Sequence, residues 1–286
     1  MTETPVLFGP ESTLVGVVTQ PDGKAAADIA CLTFNAGVIP RFGPHRFNVK
    51  LARHLATAGI VSMRFDISGL GDSRPALTGR NFLQQAVVDI RAAMDFLEQH
   101  HGIRRFALIG NCSGAVHIYW ASLADERVVG SLMFDGFCYR TRWTRLVRHW
   151  KRLRAGTLRS TAIAIGRRLA TALSIRSRSK NKVEASMFEA DDSHATPPRE
   201  QYCHDLQTLV DRGVSVFLVF SGGNFDYYSY AGQFRDCFAK EPFVDRVRCD
   251  HMPEIDHTLL NLDAQRSFIG VIHDWIAGIA KSRGAS

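Results

Sequence analysis

The chain has 286 residues, a net charge of +7, and 45% hydrophobic and 22% charged residues, which fits one globular domain with room for an insertion. No run of about 18 uncharged apolar residues occurs, and the first residues lack the features of a secretory signal, so neither a membrane span nor export is expected. The six cysteines are scattered without a CxxC pair, so we expect reduced thiols in the cytoplasm, no disulfide framework, and no metal or cofactor.

Short apolar runs alternate with helix-length segments along most of the chain. Several runs are continuously apolar, as expected for central strands that are covered on both faces. The alternation predicts a mostly parallel sheet with helices on both sides and functional groups at the carboxyl ends of its strands. The predicted strands are 14–19, 29–35, 60–66, 106–110, 128–135, 214–221 and 244–249, and the predicted helices are 47–58, 81–99, 113–123, 200–212, 230–240 and 260–280.

The loop after the second predicted strand carries the first candidate groups. We predict that the backbone N–H of Val38 donates to an oxyanion, because Gly37 lets the backbone approach closely. Arg41, His45 and Arg46 follow, and they are candidates for binding a substrate carboxylate or phosphate. Alternatively, these three residues pin the loop to the next helix.

A strand runs directly into a helix at Gly110-Asn-Cys-Ser-Gly114. A turn of this kind strains the backbone of its central residue, so the positions two before and two after must be small. Both of these positions are glycines when the turn is centred on Cys112, but they are asparagine and alanine when it is centred on Ser113. The spacing therefore favours Cys112 as the nucleophile over a buried structural thiol, and Ser113 N–H as the second oxyanion donor.

His257 lies in a loop between the last predicted strand and the final helix. A general base in this position returns to the strand ends, and the pKa of an imidazole suits proton transfer near neutral pH. Asp135, which ends one predicted strand, and Asp226, which follows another, are candidates for the carboxylate that orients it.

The positive charge is concentrated between residues 140 and 182, which hold fourteen of the 35 Lys and Arg and no Asp or Glu. Helical spacing at 143–154 and 161–175, without a convincing strand, predicts a basic helical cap at 137–196. The core would then comprise 1–136 and 197–286. Three explanations of the charge remain open: a solvated face, capture of an anionic substrate or carrier, and contact with an anionic membrane surface. Nucleic acid is not expected, since no known motif accompanies the charge.

Together these motifs resemble the α/β-hydrolase superfamily, in particular serine aminopeptidase-like and small bacterial hydrolases. The resemblance implies the α/β-hydrolase fold and a nucleophile, acid and histidine in that order along the chain. It also implies a carboxylate after the strand predicted at 214–221, which favours Asp226 and leaves Asp135 as the alternative. Cysteine replaces the usual serine, as in dienelactone hydrolases and polyhydroxyalkanoate synthases. The segments that carry the resemblance are 35–37, 43–46, 51–56, 64–73, 110–115 and 256–258.

The predicted function is hydrolysis of a small-molecule ester or thioester, free or carrier-bound, through an acyl-cysteine intermediate. Transfer of the acyl group to an acceptor other than water is an alternative, because cysteine nucleophiles serve both outcomes. A non-catalytic ligand-binding protein on the same fold is the third hypothesis.

Overall fold

The computed structural model describes residues 1–23, 28–155, 196–224 and 227–281. The strands are β1 Thr2–Phe8, β2 Leu14–Gln20, β3 Ile29–Thr33, β4 Val61–Phe65, β5 Arg105–Asn111, β6 Val128–Phe134, β7 Ser215–Ser221 and β8 Arg248–Met252. The α-helices are α1 Phe47–Thr57, α2 Phe82–His101, α3 Ser113–Ala124, α4 Arg142–Ala155, α5 Arg199–Asp211, α6 Gln233–Cys237 and α7 Leu262–Lys281.

The strands form one eight-stranded sheet in the order β1-β2-β4-β3-β5-β6-β7-β8. The strand β2 is antiparallel to both of its neighbours, and every pair from β4 to β8 is parallel. The mostly parallel sheet predicted from the sequence is therefore present, with one antiparallel hairpin at its edge.

The core has two apolar layers, one on each face of the sheet. Along β3, Ala30 and Leu32 pack into the first layer, whereas Ile29 and Cys31 pack into the second. Helices α2, α3 and α5 cover the first face, and α1 and α7 cover the second. Because both faces are covered, β3 and β4 are buried at every position. The β3 strand is apolar from Ile29 to Leu32, whereas β4 also buries Ser62 and Arg64.

Three predicted elements differ from the structure. The strand β1 was missed, because its exposed positions carry Thr, Pro and Leu and it lies at the sheet edge, where burial does not impose an apolar pattern. The strand predicted at 244–249 begins only at Arg248, since residues 243–247 form a turn closed by the bond from Val247 N to Phe243 O. The helix predicted at 230–240 is confined to Gln233–Cys237.

Helix α4 lies within the predicted cap and includes the helical pattern expected at 143–154. The second predicted cap helix, at 161–175, lies outside the described residues, so the division into core and cap remains a prediction. None of the helices in the described parts of the chain combines the length and apolarity needed to cross a bilayer.

The parallel strands bring distant segments to one edge of the sheet. Asn111, the last residue of β5, lies opposite Phe134, the last of β6, and Phe134 in turn lies opposite Val219 of β7. The residues that follow these strands therefore leave the sheet side by side, which is where the sequence placed its candidate groups.

Candidate active site

The turn between β5 and α3 has the strained backbone that the glycine spacing predicts. Cys112 has φ 56° and ψ −120°, a region that side-chain-bearing residues rarely occupy. A Cβ on Gly110 would overlap the backbone of Gly114, and a Cβ on Gly114 would come within 2.9 Å of Asn35 O. Both glycines are therefore needed sterically, and the Cys112 side chain is exposed at the tip of the turn.

His257 lies between the thiol and a carboxylate. Its Nδ1 donates to Asp135 Oδ2 at 2.7 Å. The imidazole also interacts with the Cys112 thiol, since each group shifts the pKa of the other. The histidine loop can approach because Gly223 has no side chain: a Cβ there would lie 2.8 Å from His257 N. Sequence analysis missed this glycine, although two consecutive glycines after a buried strand indicate a close backbone approach.

Among the described residues, the carboxylate that contacts His257 is that of Asp135, the alternative acid from the sequence. Asp226 lies outside the described residues, so its role remains a prediction. The side chain of Asp135 is fully buried, and its backbone has a positive φ of 51°. Because β6 lies between β5 and β7, the first residue after β6 emerges next to the Cys112 turn. Sheet order thus positions Asp135, and sheet order is invisible in a single sequence.

Ser221, the last residue of β7, holds the Asp135 carboxylate from the other side. Its backbone N–H donates to Oδ1 at 2.8 Å, and its hydroxyl donates to Oδ2 at 2.6 Å. Ser221 is fully buried. Sequence analysis missed this residue as well; the available signal was a serine ending an otherwise apolar run.

The charges of Cys112 and His257 stabilise each other. The hydrogen bond to Asp135, followed by that to Cys112, raises the pKa of His257 to about 10 despite partial burial. The hydrogen bond from His257 holds the pKa of the Cys112 thiol below its usual value against the opposing effect of burial, and the backbone N–H of Ser113 helps. The arrangement therefore favours a thiolate–imidazolium pair near neutral pH.

The two predicted oxyanion donors lie on segments that touch each other. The backbone N–H of Ser113 lowers the pKa of the Cys112 thiol, and the Ser113 hydroxyl accepts a hydrogen bond from Gly37 N at 2.8 Å. Gly37 has φ 58°, and Val38 follows it in the turn closed between Ala36 and Ile39. The Ser113 side chain thus links this turn to the start of α3.

The residues after this turn are tied to the buried carboxylate of Asp66. It accepts hydrogen bonds from Asn35 Nδ2 at 3.1 Å and Arg41 N at 2.7 Å, and it also pairs with the Arg41 guanidinium. Arg41 further pairs with Asp72 at 2.7 Å. These contacts favour the alternative role of Arg41, which is to pin the loop.

His45 and Arg46, the other two candidates in this loop, are exposed and have φ of 48° and 62°. Neither lines the cleft in front of the thiol. Their role in binding substrate remains a prediction.

An open cleft of about 380 Å³ lies in front of Cys112. Val116, Phe137 and Cys138 make part of its wall apolar, and Asn224 is one of its polar residues. This space admits an acyl group to the thiol. A larger hollow of about 630 Å³ between β1 and α2 contains none of the candidate groups.

Among the residues that the structure describes, no group of three or more His, Cys, Asp or Glu side chains could hold a metal ion.

Comparisons with known proteins agree with this architecture. The family model described as serine aminopeptidase, S33, matches residues 42–217. No curated protein sequence matches the chain. A proline iminopeptidase of Mycobacterium smegmatis is 15% identical, with a TM-score of 0.56 over 99% of this chain and 100% of its own.

Two further solved structures have the same fold. An esterase of Pyrococcus furiosus is 11% identical, with a TM-score of 0.58 over 98% of this chain and 91% of its own. An α/β serine hydrolase without a lid from Xanthomonas campestris is 12% identical, with a TM-score of 0.56 over 96% and 93% of the two chains. At such low sequence identities, structural similarity establishes the fold alone. The α/β-hydrolase fold predicted from the sequence is confirmed.

Proposed function

The chain belongs to the serine aminopeptidase S33 family of α/β-hydrolases, and from that premise we propose that it is a cysteine-dependent acyl hydrolase that cleaves an ester or thioester. The observation that carries the proposal is the series Cys112–His257–Asp135 at a strained turn that opens into a cleft: His257 is hydrogen-bonded to Asp135, and it lowers the pKa of the Cys112 thiol. Nucleophile, base and orienting carboxylate in this series are the parts that acyl transfer requires.

The first step forms the acyl-enzyme. The Cys112 thiolate attacks the carbonyl carbon, and the carbonyl π electrons move to the oxygen. Backbone N–H groups of Ser113 and Val38 stabilise the negative oxygen. As the tetrahedral intermediate collapses, the bond to the leaving alkoxide or thiolate breaks, and the His257 imidazolium donates its proton to the leaving group.

The second step regenerates the thiol. Neutral His257 takes a proton from water, the hydroxide attacks the acyl-cysteine, and collapse of the second intermediate expels the Cys112 thiolate and releases the carboxylic acid. Asp135 accepts the Nδ1–H of His257 throughout, which keeps the ring oriented and stabilises its positive charge. The Ser113 hydroxyl is already engaged by Gly37 N, which argues against it as the nucleophile.

The test is intact-mass measurement of the full-length chain after brief exposure to a panel of activated acyl esters and acyl thioesters. We expect a mass increase of one acyl group on Cys112, located by peptide mapping, and its loss over time in water. Cys112→Ala abolishes the adduct and the turnover. Cys203→Ala, which removes a half-buried thiol that does not line the cleft, is the matched control and retains both.

Acylation of Ser113 in the unmodified protein, or turnover that persists in Cys112→Ala, would refute the proposal. An acyl-cysteine that is stable in water but released by an added alcohol, amine or thiol would identify an acyltransferase instead.

A further inference from the structure

A second hollow, of about 590 Å³, lies beside the cleft where the chain leaves β6. Residues 136–138 line the cleft of Cys112, and the next residues, 139–143, line this second space. We call it the arginine hollow, because Arg140, Arg142 and Arg199 line it. One carboxylate, that of Asp236, also lines it and accepts a hydrogen bond from the Tyr230 hydroxyl. The chain thus passes directly from the wall of one space to the wall of the other.

One aromatic ring separates Arg140 from the cleft. The guanidinium carbon of Arg140 lies 5.3 Å from the centre of the Tyr227 ring, and Tyr227 lines the cleft. The positive charge of Arg140 therefore lies at the rim of the cleft.

A buried amide fixes the two segments that form this rim. Gln233 is fully buried, and its Nε2 donates to Tyr139 O at 2.9 Å and to Tyr227 O at 2.7 Å. The hydroxyls of Thr141 and Tyr230, 2.8 Å apart, add a second link. The backbone positions of the arginine hollow are thus held in place relative to the cleft.

Two of the three arginines have no acidic partner among the described residues. Arg199 pairs with Glu241 at 3.1 Å. The guanidinium of Arg140 lies over the ring of Tyr227, and that of Arg142 lies over the ring of Trp143. Elsewhere in the described chain ion pairing of arginine is common, as at the arginines 41, 53, 64, 105, 127, 235, 246, 248 and 266. Arg140 and Arg142 thus have guanidinium donors available for an external anion.

We propose that Arg140 and Arg142 bind a phosphate ester on the leaving group of a thioester substrate whose acyl group occupies the cleft of Cys112. This inference rests on the proposed function, which defines the leaving group. Guanidinium groups match phosphate oxygens in geometry and charge, and they bind them through paired N–H donors. Because the phosphate departs with the thiol, the two arginines act on substrate capture and acylation and do not affect hydrolysis of the acyl-cysteine.

The experiment compares thioesters of one acyl group with pantetheine, 4′-phosphopantetheine and coenzyme A. For the full-length protein we expect kcat/KM to be roughly tenfold higher with the phosphate-bearing thioesters, the size of one charge-assisted hydrogen bond. The double variant Arg140→Gln, Arg142→Gln loses this preference and keeps its activity on the pantetheine thioester. Equal rates with the two phosphate-bearing thioesters would assign recognition to the phosphate that they share.

The matched control is Arg145→Gln, which removes an exposed positive charge from the same helix, α4, outside the arginine hollow. It should retain the preference. The inference is overturned if the unmodified protein does not distinguish the thioesters, if Arg145→Gln loses the preference equally, or if the double variant loses pantetheine turnover to the same extent.

Calorimetry on Cys112→Ala separates this inference from the proposed function. Binding of 4′-phosphopantetheine but not pantetheine, abolished by the double arginine substitution, would support the phosphate site even if no acyl thioester is turned over. Equal binding of the two compounds, or no binding of either, would remove the phosphate site even if Cys112 becomes acylated.

Discussion

At the scale of single residues, the charge state of the Cys112–His257 pair decides reactivity. The imidazolium lowers the pKa of the thiol, and the thiolate and Asp135 raise the pKa of the imidazole. The proposed reaction needs both charged forms together, because the thiolate attacks and the imidazolium protonates the leaving group. Activity is therefore expected between the lowered pKa of the thiol and the raised pKa of the imidazole.

The first prediction concerns pH. Alkylation of Cys112 by iodoacetamide should reach half of its maximal rate at a pH below the usual cysteine pKa, because only the thiolate reacts and the thiol pKa is lowered. Hydrolysis should decline as the pH rises through about 10, where His257 loses its proton. Peptide mass spectrometry across a pH series measures the alkylation.

Cys203 is an internal reference for this series, since burial raises its pKa to about 11. His257→Ala should move the alkylation midpoint of Cys112 upward. An unchanged alkylation midpoint of Cys112 in His257→Ala would contradict the pairing of the thiolate with the imidazolium.

The second prediction identifies the orienting carboxylate. Asp135→Asn replaces the acceptor of the His257 Nδ1–H with a neutral amide, so the imidazolium loses its counter-charge. We expect kcat to fall by about 10²–10⁴-fold. Steady-state kinetics should find Asp226→Asn close to the unmodified protein, and the opposite result would transfer the role to Asp226.

The third prediction concerns Ser221 as a positioning residue. Ser221→Ala removes one donor to a buried carboxylate oxygen, which should cost about 1–3 kcal/mol of stability. It should also lower kcat with little change in KM, since the carboxylate that orients His257 is less firmly held.

Ser221→Thr should restore kcat, because it retains the hydroxyl. Ser131→Ala is the matched control: Ser131 is equally buried on β6, but it accepts from Ser122 and does not contact Asp135. It should lose stability without loss of kcat. If Ser221→Ala and Ser131→Ala changed kcat equally, the role of Ser221 would be structural only.

At the scale of secondary-structure elements, the turn from β5 to α3 depends on missing side chains. A methyl group on Gly110 would overlap the backbone of Gly114, and backbone cannot move aside as a side chain can. By contrast, Gly278 lies within α7 and has open space around its would-be Cβ. The two positions differ in sterics although both are glycines.

The fourth prediction follows from this difference. Gly110→Ala should lower the free energy of unfolding by more than about 2 kcal/mol, in the range of overpacked cores, or prevent folding. Gly278→Ala should raise it by up to about 1 kcal/mol, because alanine favours a helix interior. Urea unfolding measures both, and tolerance of Gly110→Ala without loss would contradict the steric account of the turn.

At the scale of the whole molecule, charge is distributed unevenly. Residues 140–182 carry fourteen Lys and Arg, whereas the rest of the chain has more acidic than basic residues. Arg140 and Arg142 belong to the basic segment and lie beside the cleft. A localised positive field near a cleft increases the rate at which anions arrive.

The fifth prediction therefore concerns salt. Raising the ionic strength from about 0.01 M to about 0.15 M shortens the Debye length from roughly 30 to 8 Å. The value of kcat/KM should fall for a coenzyme A thioester and stay nearly constant for a neutral ester of the same acid. An equal fall in kcat/KM for the two substrates as the ionic strength rises would exclude electrostatic steering.

The local features of this protein could be predicted from its sequence because they depend on local sterics and periodicity. Glycine spacing located the turn at Cys112, since its two flanking positions leave no room for a side chain. Continuously apolar runs identified the central strands, because a strand covered on both faces has no solvent side. The edge strand β1 was not predicted, because it is partly exposed and its sequence is not continuously apolar.

Tertiary structure alone decided which distant groups meet. Asp135 contacts His257, 122 positions away, because β6 lies beside β5 and directs its end toward the thiol. Ser221 meets Asp135 because β7 is the next strand in the sheet. Sheet order results from burial across the whole domain, and no short stretch of sequence encodes it. For this reason the turn at Cys112 and the loop of His257 could be located from motifs, whereas the contact between His257 and Asp135 required the fold.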